Sequence, residues 1–259
     1  MCLLAIGWRA DPEHPLVFAG NRDEFHARPT AAAAWWKDAP DVIGGRDLEG
    51  GGTWLAADRR GRFAVVTNFR EPAVDQASAS PSRGALVTDF LAGGATARDY
   101  ALALETRSGT YAGFNLLVAD SHGLHYVSNR SPGQLDLPGG IYGLSNSALD
   151  TPWPKVVGLR MGMHRILAGG SPSDDDLLDL LSDRRAAPDA ELPDTGIGRD
   201  FERLLSAAFI VSPAYGTRCS TAFLLNRDGR ASFLERRFGP NGQATGETRE
   251  QWSTKTYVR

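Results

Sequence analysis

The chain alternates short, densely apolar runs with longer amphipathic ones. Cys2 to Trp8 and Leu16 to Ala19 are apolar runs of strand length, joined by the turn-rich Ala10-Asp11-Pro12-Glu13. The second run gives way to four polar residues, Asn21-Arg22-Asp23-Glu24. Beyond a glycine cluster, Thr53 to Ala57 and Phe63 to Asn68 flank Asp58-Arg59-Arg60-Gly61, which is a hairpin signal. The Ala-, Ser- and Pro-rich 70s and early 80s read as an exposed loop. From Arg83 onward, Leu86, Val87, Phe90 and Leu91 fall on one helical face. Gly93-Gly94 ends that helix, and Thr96 caps a second over roughly Ala97 to Glu105.

A second strand block follows at Phe114 to Ala119, Leu124 to Ser128 and Ile141 to Ser145. A helix then runs from just after Thr151-Pro152 to about Leu167, with Pro154 tolerated in its first turn. Ser173 opens another, with Asp174, Asp175 and Asp176 at the positive end of its dipole. The last block comprises Ala207 to Val211, Thr217 to Asn226, Ala231 to Arg236 and a short strand around Trp252 to Val258, with Asn226-Arg227-Asp228-Gly229 as a hairpin turn. Runs such as Ala222-Phe223-Leu224-Leu225 are apolar on both faces, which implies sheets covered on each side. With no repeat and no long linker, the expectation is one α+β domain over 1–259, two antiparallel sheets packed together with helices outside.

Composition narrows the partners. The 259 residues are 42% hydrophobic and 23% charged, as in a globular protein. A net charge of −3 argues against nucleic acid or an anionic membrane as the main partner. No apolar run is long enough to span a bilayer, so no transmembrane segment is expected. The N-terminus lacks the basic and long apolar regions of a signal peptide. Cys2 and Cys219 are the two cysteines, which is no disulfide framework and suits a cytoplasmic location. No HExxH, CxxC, CxxCH or GxSxG occurs, Gly50-Gly51-Gly52 matches no phosphate loop, and His122 and His125 are spaced so that they share no face. No metal site is expected.

Cys2 has two readings. Met1 is commonly removed when the next residue is small, leaving a thiol and a free α-amine on one residue, a nucleophile with its own base. The other reading is a buried structural cysteine on the first strand. Strand alternation puts Asn21 and Asp23 on one face and Arg22 and Glu24 on the other, so Asp23 could orient an α-ammonium. An exposed turn with a surface ion pair is the plainer alternative. Asn68 and Asn146 each end an apolar strand, either as turn starters or as amide donors suited to an oxyanion. Arg218, inside an apolar strand, calls for a carboxylate or ligand partner.

Taken together, Met1-Cys2, NRDE at 21–24, Arg28-Pro29, GGTW at 51–54, TNF at 67–69, GFNL at 113–116, YGLSN at 142–146 and YGTR at 215–218 resemble the NRDE family, the transport and Golgi organization 2 family. The resemblance runs in order from residue 1 to about 258. It implies a four-layer αββα fold similar to that of the N-terminal nucleophile hydrolases. The nearest functional comparison there is the group of cysteine amidases acting on bile-salt and penicillin amides. Carried across by motif, Cys2 falls on the nucleophile, Asp23 on the carboxylate holding the α-amine, Asn68 on the oxyanion amide, and Asn146 and Arg218 on further site positions. Asn21 and Arg22 are the expected substrate contacts. Those amidases carry an arginine just before the Asn of the second strand, where this chain has Gly20. The resemblance thus implies a hydrolase of a linear amide or thioester, taking a small acyl-amide or acyl-lipid ligand and requiring no cofactor. It also implies competing functions: a non-catalytic carrier of haem or acyl-CoA, or a protein of secretory-pathway organisation. For haem, Cys2, His26, His122 or a methionine are the candidate axial ligands.

Overall fold

The doubly apolar runs become the inner strands of two stacked antiparallel sheets. The structure, a computed structural model, describes residues 2–71, 81–131 and 136–255. Its strands are β1 (Cys2–Trp8), β2 (Leu16–Phe25), β3 (Thr30–Trp35), β4 (Val42–Asp47), β5 (Leu55–Asp58), β6 (Phe63–Asn68), β7 (Phe114–Ala119), β8 (Leu124–Ser128), β9 (Asp136–Leu137), β10 (Gly140–Leu144), β11 (Tyr215–Leu225), β12 (Arg230–Phe238) and β13 (Ala244–Ser253). One sheet has the order β10-β1-β2-β11-β12-β13 and the other β3-β4-β5-β6-β7-β8-β9. The helices are α1 (Gly84–Ala92), α2 (Ala97–Arg107), α3 (Pro154–Ala168), α4 (Asp174–Leu180) and α5 (Arg199–Leu204).

Alternation along β1 shows how the layers form. Leu4, Ile6 and Trp8 enter the core between the sheets with Phe18, Phe63 and Phe223. Leu3 and Ala5 point the other way, onto Val156, Leu159 and Met163 of α3 and Leu177 of α4. On the far side, α1 and α2 lay Leu86, Phe90, Tyr100 and Leu104 against Val66, Leu116 and Val118. Both faces of each sheet are therefore buried, in a four-layer αββα sandwich. The helix starts follow their caps: Thr96 accepts from the Asp99 N–H at 3.1 Å, and Ser173 from the Asp176 N–H at 3.2 Å.

Several elements depart from the sequence pattern. NRDE lies inside β2, because the neighbouring strands continue the ladder on both sides, β1 as far as Arg22 and β11 as far as Phe25. Ala207 to Val211 forms no strand. Ile210 instead folds back on β11, its N–H donating to Thr217 Oγ1 at 2.9 Å and its carbonyl accepting from the Thr217 N–H. The alanine-rich β3 and the glycine-containing β4 carry weak strand signals, and α5 is short; all three form through tertiary contacts. The expected last strand is β13, which begins earlier and ends at Ser253. The loop expected in the 70s falls largely on 72–80, outside the described residues, and 256–258 of the expected last strand lie outside them too. No described helix is long and apolar enough to cross a membrane.

Candidate active site

Cys2 opens β1 on the face that looks into the gap between the sheets, two residues before Leu4. Directly opposite it on β2 is Arg22, and opposite Arg22 on its other side is Cys219 of β11. This row sits where the sheets part, at a cavity of about 340 Å³. Cys2, Arg22, Asp23, Asn68, Arg83, Cys219 and Glu235 are among its lining residues.

Asp23 owes its position to a bulge. Thr217 pairs with Asp23 and Cys219 with Arg22, so Arg218 is the extra residue between them. The buried Asp23 carboxylate accepts from Thr217 Oγ1 at 2.8 Å, while Tyr215 Oη donates to the Asp23 carbonyl at 3.0 Å. Burial raises the Asp23 carboxyl above the ordinary carboxylate range, opposed by the charge of Lys155. Burial pushes the Lys155 ammonium down to about 8, opposed chiefly by Asp23. Its Nζ donates to the Leu205 carbonyl at 2.7 Å.

Asn68 comes from the opposite sheet, at the end of β6. Its side-chain amide has no hydrogen-bond partner among the described residues and lines the cavity. Behind it, the polar motifs form one network. Asn146 Nδ2 donates to the Asn68 carbonyl at 2.9 Å, and Ser145 Oγ donates to the Cys2 carbonyl at 2.8 Å. Thr67 Oγ1 donates to the Ser145 carbonyl at 2.8 Å, and Asn115 Nδ2 to Thr67 Oγ1 at 3.2 Å. Tyr126 Oη completes it, donating to Asn115 Oδ1 at 2.7 Å. A strand end of each sheet is thereby fixed to the other, as precise site geometry requires.

The sequence-derived candidates divide into two groups. Cys2, Arg22, Asp23 and Asn68 meet at the cavity. Asn21, Asn146 and Arg218 do not line it. Asn21 faces the helical layer, donating to the Leu181 and Ala208 carbonyls at 2.9 and 2.7 Å and accepting from Ser220 Oγ at 2.6 Å. The expectation that Arg218 has a carboxylate or ligand partner gives way to backbone: its Nη1 donates to the carbonyls of Phe25 at 2.8 Å and Arg28 at 3.1 Å. Arg22 and Asp23 do leave opposite faces of β2, yet both border the cavity, because it opens at the strand's end. Gly20 carries no room for an arginine: a Cβ there would come within 2.6 Å of the Phe18 ring.

Sequence reading missed Arg83, Lys155, Thr217 and Glu235. For Arg83 a signal existed in the glycines of GGTW, since a Cβ on Gly52 would come within 2.4 Å of the Gly84 backbone. That close approach seats the residue before Gly84 at the cavity. A haem fits this lining poorly. It includes no His or Met among the described residues, and burial pushes the Cys2 thiol up to about 11 in the chain that carries Met1, where a thiolate ligand is needed.

Comparisons with known proteins agree with this architecture. The family model described as Transport and Golgi organisation 2 matches residues 1–240. The human Transport and Golgi organization protein 2 homolog is 33% identical over 99% of this chain and 98% of its own length. The Drosophila melanogaster Transport and Golgi organization protein 2 is 29% identical over 91% of each. Among solved structures, the C2A mutant of a conjugated bile acid hydrolase from Clostridium perfringens superposes with a TM-score of 0.52, covering 99% of this chain and 98% of that one at 10% identity. A Caenorhabditis elegans ortholog of N-acylethanolamine-hydrolyzing acid amidase gives 0.51, covering 86% and 92% at 11% identity. The chain belongs to the Transport and Golgi organisation 2 family and has the N-terminal nucleophile hydrolase fold.

Proposed function

We propose that this family member is a cysteine N-terminal nucleophile hydrolase of a small amide or thioester, acting through Cys2 after removal of Met1. The observation that supports it is the convergence of Cys2 from one sheet and the Asn68 amide from the other on a single cavity, with Asp23 beside them. That both solved structures compared are named as hydrolases agrees with the reading.

In the reaction, Cys2 Sγ attacks the carbonyl carbon as the thiol proton passes to the Cys2 α-amine. Asn68 Nδ2 donates to the developing oxyanion. Collapse breaks the bond to the leaving group, which takes the proton from the α-ammonium and departs as amine or thiol. Water then attacks the thioester with the α-amine again as base, releasing the carboxylic acid and restoring the thiol. Asp23, held by Thr217 and biased by Lys155, orients the ammonium. Charged walls suit a short polar substrate better than a long acyl chain, which disfavours the lipid-carrier alternative.

The test is a panel of N-acyl amino acids, simple amides, acyl-CoA and haem presented to protein whose mass shows a Cys2 N-terminus. Turnover of an amide or thioester should vanish in Cys2→Ala and fall about 10²–10³-fold in Asn68→Ala. No turnover across the panel, beside saturable binding of haem or acyl-CoA, would replace the hydrolase with the carrier.

A further inference from the structure

Four arginines line the cavity, Arg22, Arg28, Arg46 and Arg83, and the proposed chemistry uses none of them. Two are already committed. Arg28 Nε donates to Asp47 Oδ2 at 2.9 Å, and Arg46 Nη2 to Asp38 Oδ2 at 2.6 Å. The other two are not. The Arg22 side chain is 8% exposed, yet among the described residues its hydrogen bond is a long 3.4 Å contact to Thr30 Oγ1, with Asp47 at 3.7 Å and Glu24 at 4.0 Å. Arg83 Nη1 donates to the Gly113 carbonyl at 3.1 Å, and it pairs with no carboxylate among the described residues.

A guanidinium carries five N–H donors, and those of Arg22 and Arg83 that bond no acceptor are not sealed in the protein but border the cavity. The cavity's own carboxylates answer them only loosely: Asp47 and Glu24 lie at 3.7 and 4.0 Å from Arg22, and their nearer bonds go elsewhere. Asp47 takes Arg28 and the N–H groups of Glu49 and Gly50, and Glu235 takes the Ala33 N–H and Arg237. One Glu24 oxygen takes the Phe25 N–H, and Asp23 takes Thr217. Arg22 lies directly opposite Cys2, and Arg83 is pinned at the same cavity by the contact of Gly52 with Gly84. GGTW thus gains a role: its second glycine seats an arginine at the site.

We infer that Arg22 and Arg83 form an anion subsite beside Cys2, and that the substrate is a small amide or thioester carrying a carboxylate or phosphate. The description of the ligand as a substrate rests on the hydrolase reading; the anion subsite does not. A cavity of about 340 Å³ lies at the small end of the range for ligand pockets, which suits a compact anion. Fork-shaped guanidinium donors match the paired oxygens of either group.

The test uses the full chain with Cys2→Ala, so that nothing is turned over. N-acetylglycine, its neutral counterpart N-acetylglycinamide and O-phospho-N-acetylethanolamine are titrated by calorimetry. At least one anion should bind tenfold or more tightly than the neutral amide, and weaken as salt rises; which anion wins identifies carboxylate or phosphate. Arg22→Met and Arg83→Met should each cost that anion tenfold or more. Equal affinity for neutral and anionic probes, no binding of either anion, or undiminished anion binding by both arginine variants would overturn the subsite. The probe and salt comparisons stand even if an arginine variant fails to fold. Failed amide and thioester turnover in the intact protein overturns the hydrolase alone.

Discussion

Asn146 donates its side-chain N–H to the backbone carbonyl of Asn68 at 2.9 Å, across the seam between the two sheets. Its residue pair with Ser145, which holds the Cys2 carbonyl, makes one short segment after β10 the clamp for the proposed nucleophile and the proposed oxyanion donor. The fully buried Asn146 never lines the cavity, so its effect on chemistry runs through the position of Asn68.

Asn146→Ala should therefore destabilise the fold by about 1–3 kcal/mol, the cost of leaving a part-buried carbonyl without its donor. It should also lower kcat with little change in KM, and by less than Asn68→Ala does. Urea unfolding and steady-state kinetics read the two effects. A variant with unchanged stability and wild-type kcat would remove Asn146 from the clamp.

Cys2 should titrate differently before and after Met1 is lost. With Met1 attached, burial pushes the thiol from 9.0 up to about 11, so at pH 7 its thiolate fraction is lower by roughly 100-fold than that of an unburied cysteine. Alkylation of this form should be slow at pH 7 and rise about tenfold per pH unit until the pH approaches 11. Removing Met1 places an α-ammonium on the same residue, which favours the thiolate and should move the profile to lower pH. Iodoacetamide rates against pH for the two forms, separated by mass, decide it; superimposable profiles would show that the α-amine does not act on the thiol.

Restoring the arginine that the amidases carry at Gly20 should fail. A Cβ there already meets the Phe18 ring at 2.6 Å, and Phe18 packs on Phe63 with ring centroids 4.9 Å apart. Gly20→Ala should cost about 1–3 kcal/mol through forced repacking, and Gly20→Arg more. Thermal melts check this. A neutral Gly20→Ala would mean that Phe18 has space to turn aside.

Glu202 pairs with Arg70 at 2.6 Å, their side chains 2% and 4% exposed. Glu202→Ala should destabilise by about 3–5 kcal/mol, because it strands the Arg70 charge against the Trp153 ring. Arg70→Met combined with Glu202→Leu should recover much of that loss. If the double variant is no better than the single one, hydrogen bonds such as that from Thr195 to Glu202 hold the region, and the ion pair does not.

Local pattern was enough to reveal the strands β1, β2, β5 to β8 and β10 to β12, the helices α1 to α4, and the layering. The strands rest on short apolar runs bounded by turn residues and the helices on a 3.6 period, signals that a short window contains. Cys2, Asp23 and Asn68 stood out as candidates as well, Cys2 by its place directly after Met1 and Asp23 and Asn68 as polar residues at the ends of apolar runs. The strands β3 and β4 did not stand out, since an alanine run and a glycine pair carry weak strand signals without their neighbours.

Which polar residues share the cavity was decided by tertiary structure. Alternation separated Arg22 from Asp23 correctly, but whether two faces of a strand border one space depends on where the opposing sheet ends. The bulge at Arg218 turned that side chain onto backbone carbonyls, and Asn21 was claimed by the helical layer. Arg83 reached Cys2's cavity through Gly52 meeting Gly84, a contact between residues far apart in the chain. The sequence by itself determined most of the elements and their apolar faces, because those depend on neighbours along the chain. The gathering of Cys2, Arg22, Asn68 and Arg83 around one space depends on how two independently patterned sheets mate, and no period in the sequence encodes that mating.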